Sequence, residues 1–218
     1  MAVEDKKRMS KSSTRPDSIQ RLSALCGIVG PISYTIVLIT LGSLEPGYNH
    51  VTQFMSKLGA ADARHAIVMN TAGFSLLGIL MVAFAVGLHR GISDGKGSKI
   101  GPALVAVSGI AVVMTGIFHC DSGSEDVTAG GTMHSVFVMI GGFAIILAPL
   151  ALSPRLKRDD RWQRYLAYSL GTVVVALLVS AVYESDVFES WEGALQRISM
   201  AVPFIWVEVM AIKLLRVS

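Results

Sequence analysis

The chain has 218 residues, 52% of them hydrophobic and 16% charged, with a mean hydropathy of +0.55. Soluble domains carry about 25% charged residues, so this balance excludes a water-soluble globular domain and indicates an integral membrane protein. Two cysteines exclude a disulfide-rich secreted scaffold, and the net charge of +3 reads as membrane orientation, not as nucleic-acid binding.

Residues 1–21 are rich in Lys, Ser, Asp and Arg and nearly devoid of large apolar side chains, which predicts a disordered tail. The apolar segment that follows is too long for a signal peptide and lacks a small-x-small cleavage site, so it is expected to be retained. A helix needs about 20 mostly apolar residues to cross the hydrocarbon core. Six such runs occur within residues 22–218: Leu22 to Leu44, Ala66 to Leu88, Ile100 to Phe118, Met133 to Leu152, Tyr165 to Tyr183 and Ala194 to Leu215. The predicted fold is an all-α, polytopic bundle of six transmembrane helices. Gly27, Gly30, Gly73, Gly78, Ser108, Gly109, Gly141 and Gly142 supply close packing along the spans. Pro31 and Pro203 remove donors inside them.

Sixteen of the nineteen Lys and Arg residues fall in the tail, the second and fourth connections and the C-terminus; Lys57, Arg64 and Arg197 are the exceptions. Positive residues resist translocation, so both termini are expected in the cytoplasm and, in a prokaryote, the bundle in the plasma membrane. On this topology Cys26 and Cys120 sit near opposite bilayer faces, too far apart to pair.

The costly polar residues collect at the other, non-cytoplasmic end. His50, His65, His119 and His134 lie there, with Tyr48, Ser56, Asn70, Asp121, Glu184, Asp186 and Arg197. Asp121 and His119 follow span three and His134 opens span four after a short connection, so two imidazoles and a carboxylate can converge as ligands for zinc or another divalent ion. The competing reading makes them hydrated residues capping helix ends. In the first connection, Val51, Phe54, Met55 and Leu58 recur at helical spacing and predict a short amphipathic helix at the interface, which carries Ser56. Ser56 is a candidate nucleophile or ligand to substrate. Arg197, one turn into span six, is expected to face a carboxylate such as Asp121, Glu184 or Asp186, or an anionic headgroup. Asn70 is expected to hydrogen-bond between helices. No nucleotide-binding loop, dinucleotide fingerprint, zinc-protease pair or esterase elbow occurs, and the ten methionines read as packing residues.

These residues carry a resemblance. Gly47 and Tyr48; Ser56 to Gly59; Asn70, Gly73, Phe74 and Gly78; Gly116 to Phe118 with Asp121; His134; and Gly193 to Arg197 resemble, in that order, the motifs of a prokaryotic six-span membrane family catalogued as domain of unknown function 998. The resemblance covers roughly residues 22–215, and it implies six spans without fixing an activity. More distantly, the Ser, Asp and His pattern at one rim is similar to the membrane hydrolases that include alkaline ceramidases and adiponectin receptors, although those have seven spans and paired histidines on the last.

The expected function is a lipid-modifying hydrolase acting at the outer leaflet. Ser56, Asp121 and His134 form its catalytic set, Arg197, Tyr48 and Asn70 bind substrate, and His119, Asp121 and His134 hold any zinc. The expected partners are membrane lipids, and no nucleic acid. The alternative is a non-catalytic lipid-binding, sensor or transport protein; the nearly charge-free middle thirds of the spans argue against transport. Oligomeric state is left open.

Overall fold

In the computed structural model, residues 18–93, 99–122, 127–185 and 187–217 are described. Residues 1–17 of the predicted tail and Asp186 lie outside them. All six predicted spans are present as long apolar helices: α1 Ser18–Leu44, α2 Ala66–Gly91, α3 Ile100–Ile117, α4 Ala129–Arg158, α5 Arg164–Tyr183 and α6 Glu192–Val217. Even the 18-residue α3 rises ~27 Å, close to the hydrocarbon thickness. Helix α1 starts ahead of the predicted span because Gln20 is buried and donates to the Leu214 carbonyl of α6 at 3.5 Å.

Helix α4 outruns its predicted limits at both ends. Thr128 caps it by accepting from the Gly131 N–H at 3.0 Å, and it passes Pro149 and Pro154 before ending at Arg158. His134 therefore stands inside the second turn and does not open the helix.

Helices adjacent in sequence pack on one another, and α6 returns to α1, closing a ring in chain order. Ala, Gly and Ser allow the closest approaches: a Cβ on Gly109 would lie 2.6 Å from the Gly78 carbonyl oxygen, so α2 and α3 meet backbone to backbone. The interior is filled by Phe84, Leu88, Leu152, Leu156, Trp162, Trp206, Met210 and Leu214, all fully buried. Trp206 also donates its indole N–H to the Ser169 hydroxyl at 3.0 Å, tying α6 to α5. Outward-facing Ile36, Ile39, Phe143, Val174 and Leu178 are exposed, the apolar exterior that a bilayer requires.

Six spans place both termini at one end of the bundle, and the opposite end is called distal here. At the terminal end, residues counted above as orientation signals are built into the fold. Arg155 is buried (1% exposed) and donates to the carbonyls of His89, Ile92 and Ser93, the chain leaving α2. Asp159 accepts from the Ser93 N–H at 3.0 Å and from Arg161 at 2.8 and 3.0 Å, and Trp162 donates to the Gly91 carbonyl. The orphan carbonyls of α2 are thereby met by arginine and indole donors. The Arg161 guanidinium holds the Asp159 carboxyl well below the usual carboxylate range. Cys26 and Cys120 are not joined in a disulfide.

Candidate functional site at the distal end

The first connection forms a 3₁₀ turn, Met55–Gly59, instead of a free amphipathic helix. Met55 and Leu58 are buried, Phe54 is half-buried and Val51 is exposed. The turn thus dips among the helix ends, packing on α1, α2 and α6.

Three residues of α6 hold it there. Arg197 Nη1 donates to the carbonyls of His50 at 2.6 Å, Gly193 at 2.7 Å and Gln53 at 3.1 Å. Its Nη2 meets the Tyr48 hydroxyl at 2.6 Å and His50 Nδ1 at 3.0 Å, while Nε is buried without a partner. Gln196 Oε1 accepts from the Met55 N–H at 2.6 Å, and the Ala194 N–H donates to the Val51 carbonyl at 2.9 Å. A Cβ on Gly193 would collide with Gln53 and His50 backbone. Positions i, i+3 and i+4 share one helix face, so Gly193, Gln196 and Arg197 form a single docking surface. Among the described residues the partners of Arg197 are neutral, and no carboxylate meets it. Burial and the adjacent guanidinium lower the His50 pKa. Burial raises that of Tyr48, and Arg197 offsets this in part.

Asn70 donates not to a facing helix but to the Gly59 carbonyl of the 3₁₀ turn, at 2.8 Å. It lies in a π-helical segment of α2, Met69–Ser75, where the Ser75 hydroxyl takes up the Asn70 carbonyl at 2.8 Å. Such segments widen a helix by one residue per turn and often mark functional positions.

Asp121 braces the N-terminal cap of α4, Thr128, which is close to the helix-end role that one of the two sequence readings gives it. Its Oδ2 accepts from the Val127 and Thr128 N–H groups at 2.8 Å each, and Oδ1 from the Thr128 hydroxyl at 2.7 Å. The carboxylate sits over Gly131, where any Cβ would strike it. These donors, Thr128 foremost, with a smaller contribution from His134, lower the Asp121 pKa. His134, one turn further along α4, has Nδ1 at 3.0 Å from the Thr115 carbonyl and 2.8 Å from that of Phe118. It therefore serves the orphan carbonyls at the end of α3. His119 is exposed and His65 half-buried. Among the described residues no three His, Cys, Asp or Glu side chains converge as metal ligands.

Ser56 and Asp121 do come together. They line one cleft of about 200 Å³ with Thr52, Gln53, Phe54, Lys57, Cys120, Ser122 and Glu192. At ~30 Å³ per water, that space takes about six or seven waters or one small polar group. The sequence reading missed Lys57 and Glu192 as cleft residues, and His50, Gly193 and Gln196 as docking partners. Lys57 stood out only as a basic residue on the acidic side, and Gln196 only as part of the Gly193 to Arg197 segment that carries the family resemblance.

Fold and site together define a polytopic membrane protein of six helices with a polar cleft at its distal rim. Residues 28–213 match the family described as Protein of unknown function (DUF998), and the chain belongs to that family. No curated protein and no solved structure matches the chain, so the likeness to ceramidase-type hydrolases gains no support.

Proposed function

We propose that the distal end faces the non-cytoplasmic side, as the distribution of Lys and Arg favours, and that the cleft binds the polar headgroup of a membrane lipid. One observation carries this reading: a cleft at the bundle rim is lined by a hydroxyl, an ammonium side chain and two carboxylates, those of Ser56, Lys57, Asp121 and Glu192. A site of both signs suits a zwitterionic headgroup whose acyl chains remain in lipid. Arg197, Tyr48 and Asn70 then act indirectly, by fixing the connection that forms one wall. Titration of the detergent-purified chain with a short-chain zwitterionic phospholipid, read by native mass spectrometry, tests this. One lipid should bind the wild type, and a Ser56→Ala, Lys57→Ala double variant should weaken it at least tenfold. Equal binding by the double variant, or by a diglyceride lacking a headgroup, would sink the proposal.

Hydrolysis of the bound lipid is the second reading, favoured by the convergence of the Ser56 hydroxyl and the Asp121 carboxylate on one cleft, which His134 does not line. Mass spectrometry of lipids incubated with wild type and Ser56→Ala detects cleavage that depends on this residue. Among the described residues His119, Asp121 and His134 do not come together as a set of three metal ligands; metal analysis of the purified chain tests the zinc expectation separately.

A further inference from the structure

Asn70 and His134 are each 3% exposed, and each keeps one buried polar atom without a partner, Oδ1 and Nε2. Their other contacts fix what those atoms are. The Gly59 carbonyl can only accept, so the Asn70 amide nitrogen faces it and Oδ1 is left as an acceptor. The Thr115 and Phe118 carbonyls can only accept, so His134 Nδ1 carries a hydrogen, and in the neutral imidazole Nε2 is also an acceptor. Two buried acceptors thus lack a donor, where native proteins satisfy nearly all such groups.

Both border the Phe74 ring. His134 stands edge-on to it, with centroids 6.1 Å apart and planes at 76°. Asn70 Oδ1 and Phe74 Cε2 crowd the same side of Gly59, 2.5 and 3.3 Å from the position a Cβ would take. Tyr34 lies 5.9 Å from Phe74 on another side. The Asp121 carboxylate sits one turn away on the His134 face of α4.

We propose that this region beneath the 3₁₀ turn takes a primary ammonium group, held by Asn70 Oδ1 and His134 Nε2. An anion finds only acceptors there. A quaternary ammonium has no N–H to give. A divalent metal would draw on two neutral ligands where such ions take four or more. An ammonium satisfies both acceptors, is attracted by aromatic rings and lies within the field of Asp121. Arg197, one of two arginines at this end, is engaged by the His50 and Gln53 carbonyls of the first connection. The assignment goes beyond the headgroup reading and does not require it.

The test is the melting midpoint of the full, detergent-purified chain in ethylammonium chloride, with tetramethylammonium and sodium chlorides at equal concentration. Ethylammonium alone should raise the midpoint, saturably, by about 2–4 °C. Asn70→Leu should abolish the rise. Should that variant fail to fold, Asn70→Asp keeps the proposal open to refutation, because a carboxylate at the acceptor should lower the half-maximal ethylammonium concentration at least tenfold. A response shared by tetramethylammonium, no response at all, or an unchanged half-maximal concentration in Asn70→Asp overturns the assignment, and none of these touches lipid binding at the cleft.

Discussion

Replacing Gly193 with Ala separates the docked connection from helix propensity by the sign of the effect. Inside a helix Gly→Ala gains up to about 1 kcal/mol on propensity alone. At Gly193 the added Cβ would lie 2.7 Å from Gln53 N and 2.8 Å from the His50 oxygen, and would strike the Gln53 oxygen. All three are backbone atoms, which cannot swing aside as a side-chain tip does. They belong to the segment that Arg197, Gln196 and Ala194 hold, so relief of the clash strains several hydrogen bonds at once. Overpacking of this kind costs about 1–3 kcal/mol; its mid-range of about 2 kcal/mol outweighs a propensity gain of about 1 kcal/mol and leaves a net loss of about 1 kcal/mol. Thermal unfolding in detergent reads the net effect, and hydrogen exchange over residues 48–55 shows where it falls. Gly142→Ala and Gly171→Ala are controls: both positions lie in helices with open space around a Cβ, and should be neutral or gain about 0.5–1 kcal/mol. A Gly193→Ala chain as stable as wild type, with unchanged exchange at 48–55, would refute the docking account.

The Asp121 carboxyl is held below its ordinary value, so its contribution is fully present above the unfolded pKa of about 3.9 and is lost as pH falls through the lower folded value. The wild-type melting midpoint should therefore drop more steeply than that of Asp121→Asn below about pH 4; parallel curves would contradict the capping role. The lowered His50 pKa has the same sign at a higher pH: stability present above about 6.5 declines on acidification, and His50→Gln should remove that part of the slope. Trp206→Phe removes the donor to Ser169, inside the bundle. It should cost about 1–2 kcal/mol in thermal unfolding, and Ser169→Ala in the same background should add little.

Six spans were legible in the chain because about 20 apolar residues between polar clusters have few other uses. The extent of α4 was not, because Pro154 reads locally as a breaker, while the Thr128 cap lies outside the apolar run. Arg155 and Arg161 counted towards orientation, but their carbonyl partners at the end of α2 and just beyond it, His89 to Ser93, lie 62 to 70 positions away in sequence and leave no pattern. At the distal end, composition located the polar cluster without dividing its labour. A carboxylate that caps and one that binds look alike in sequence, and so Asp121 carried both readings. Arg197 was expected beside a carboxylate, yet five bonds to carbonyls, a phenol and an imidazole hold it. Backbone acceptors have no residue signature. The convergence of Ser56 with Asp121 depends on the 3₁₀ turn dipping among the helix ends, which the spacing of Met55 and Leu58 hinted at but could not place.

The most direct measurement is photocrosslinking with a zwitterionic phospholipid that carries the reactive group in its headgroup, followed by peptide mapping of the reconstituted chain. Headgroup binding at the cleft predicts adducts concentrated on residues 52–57, 120–122 and Glu192, and lost in the Ser56→Ala, Lys57→Ala variant. Adducts distributed evenly around the bundle rim, unchanged by that variant, would contradict it.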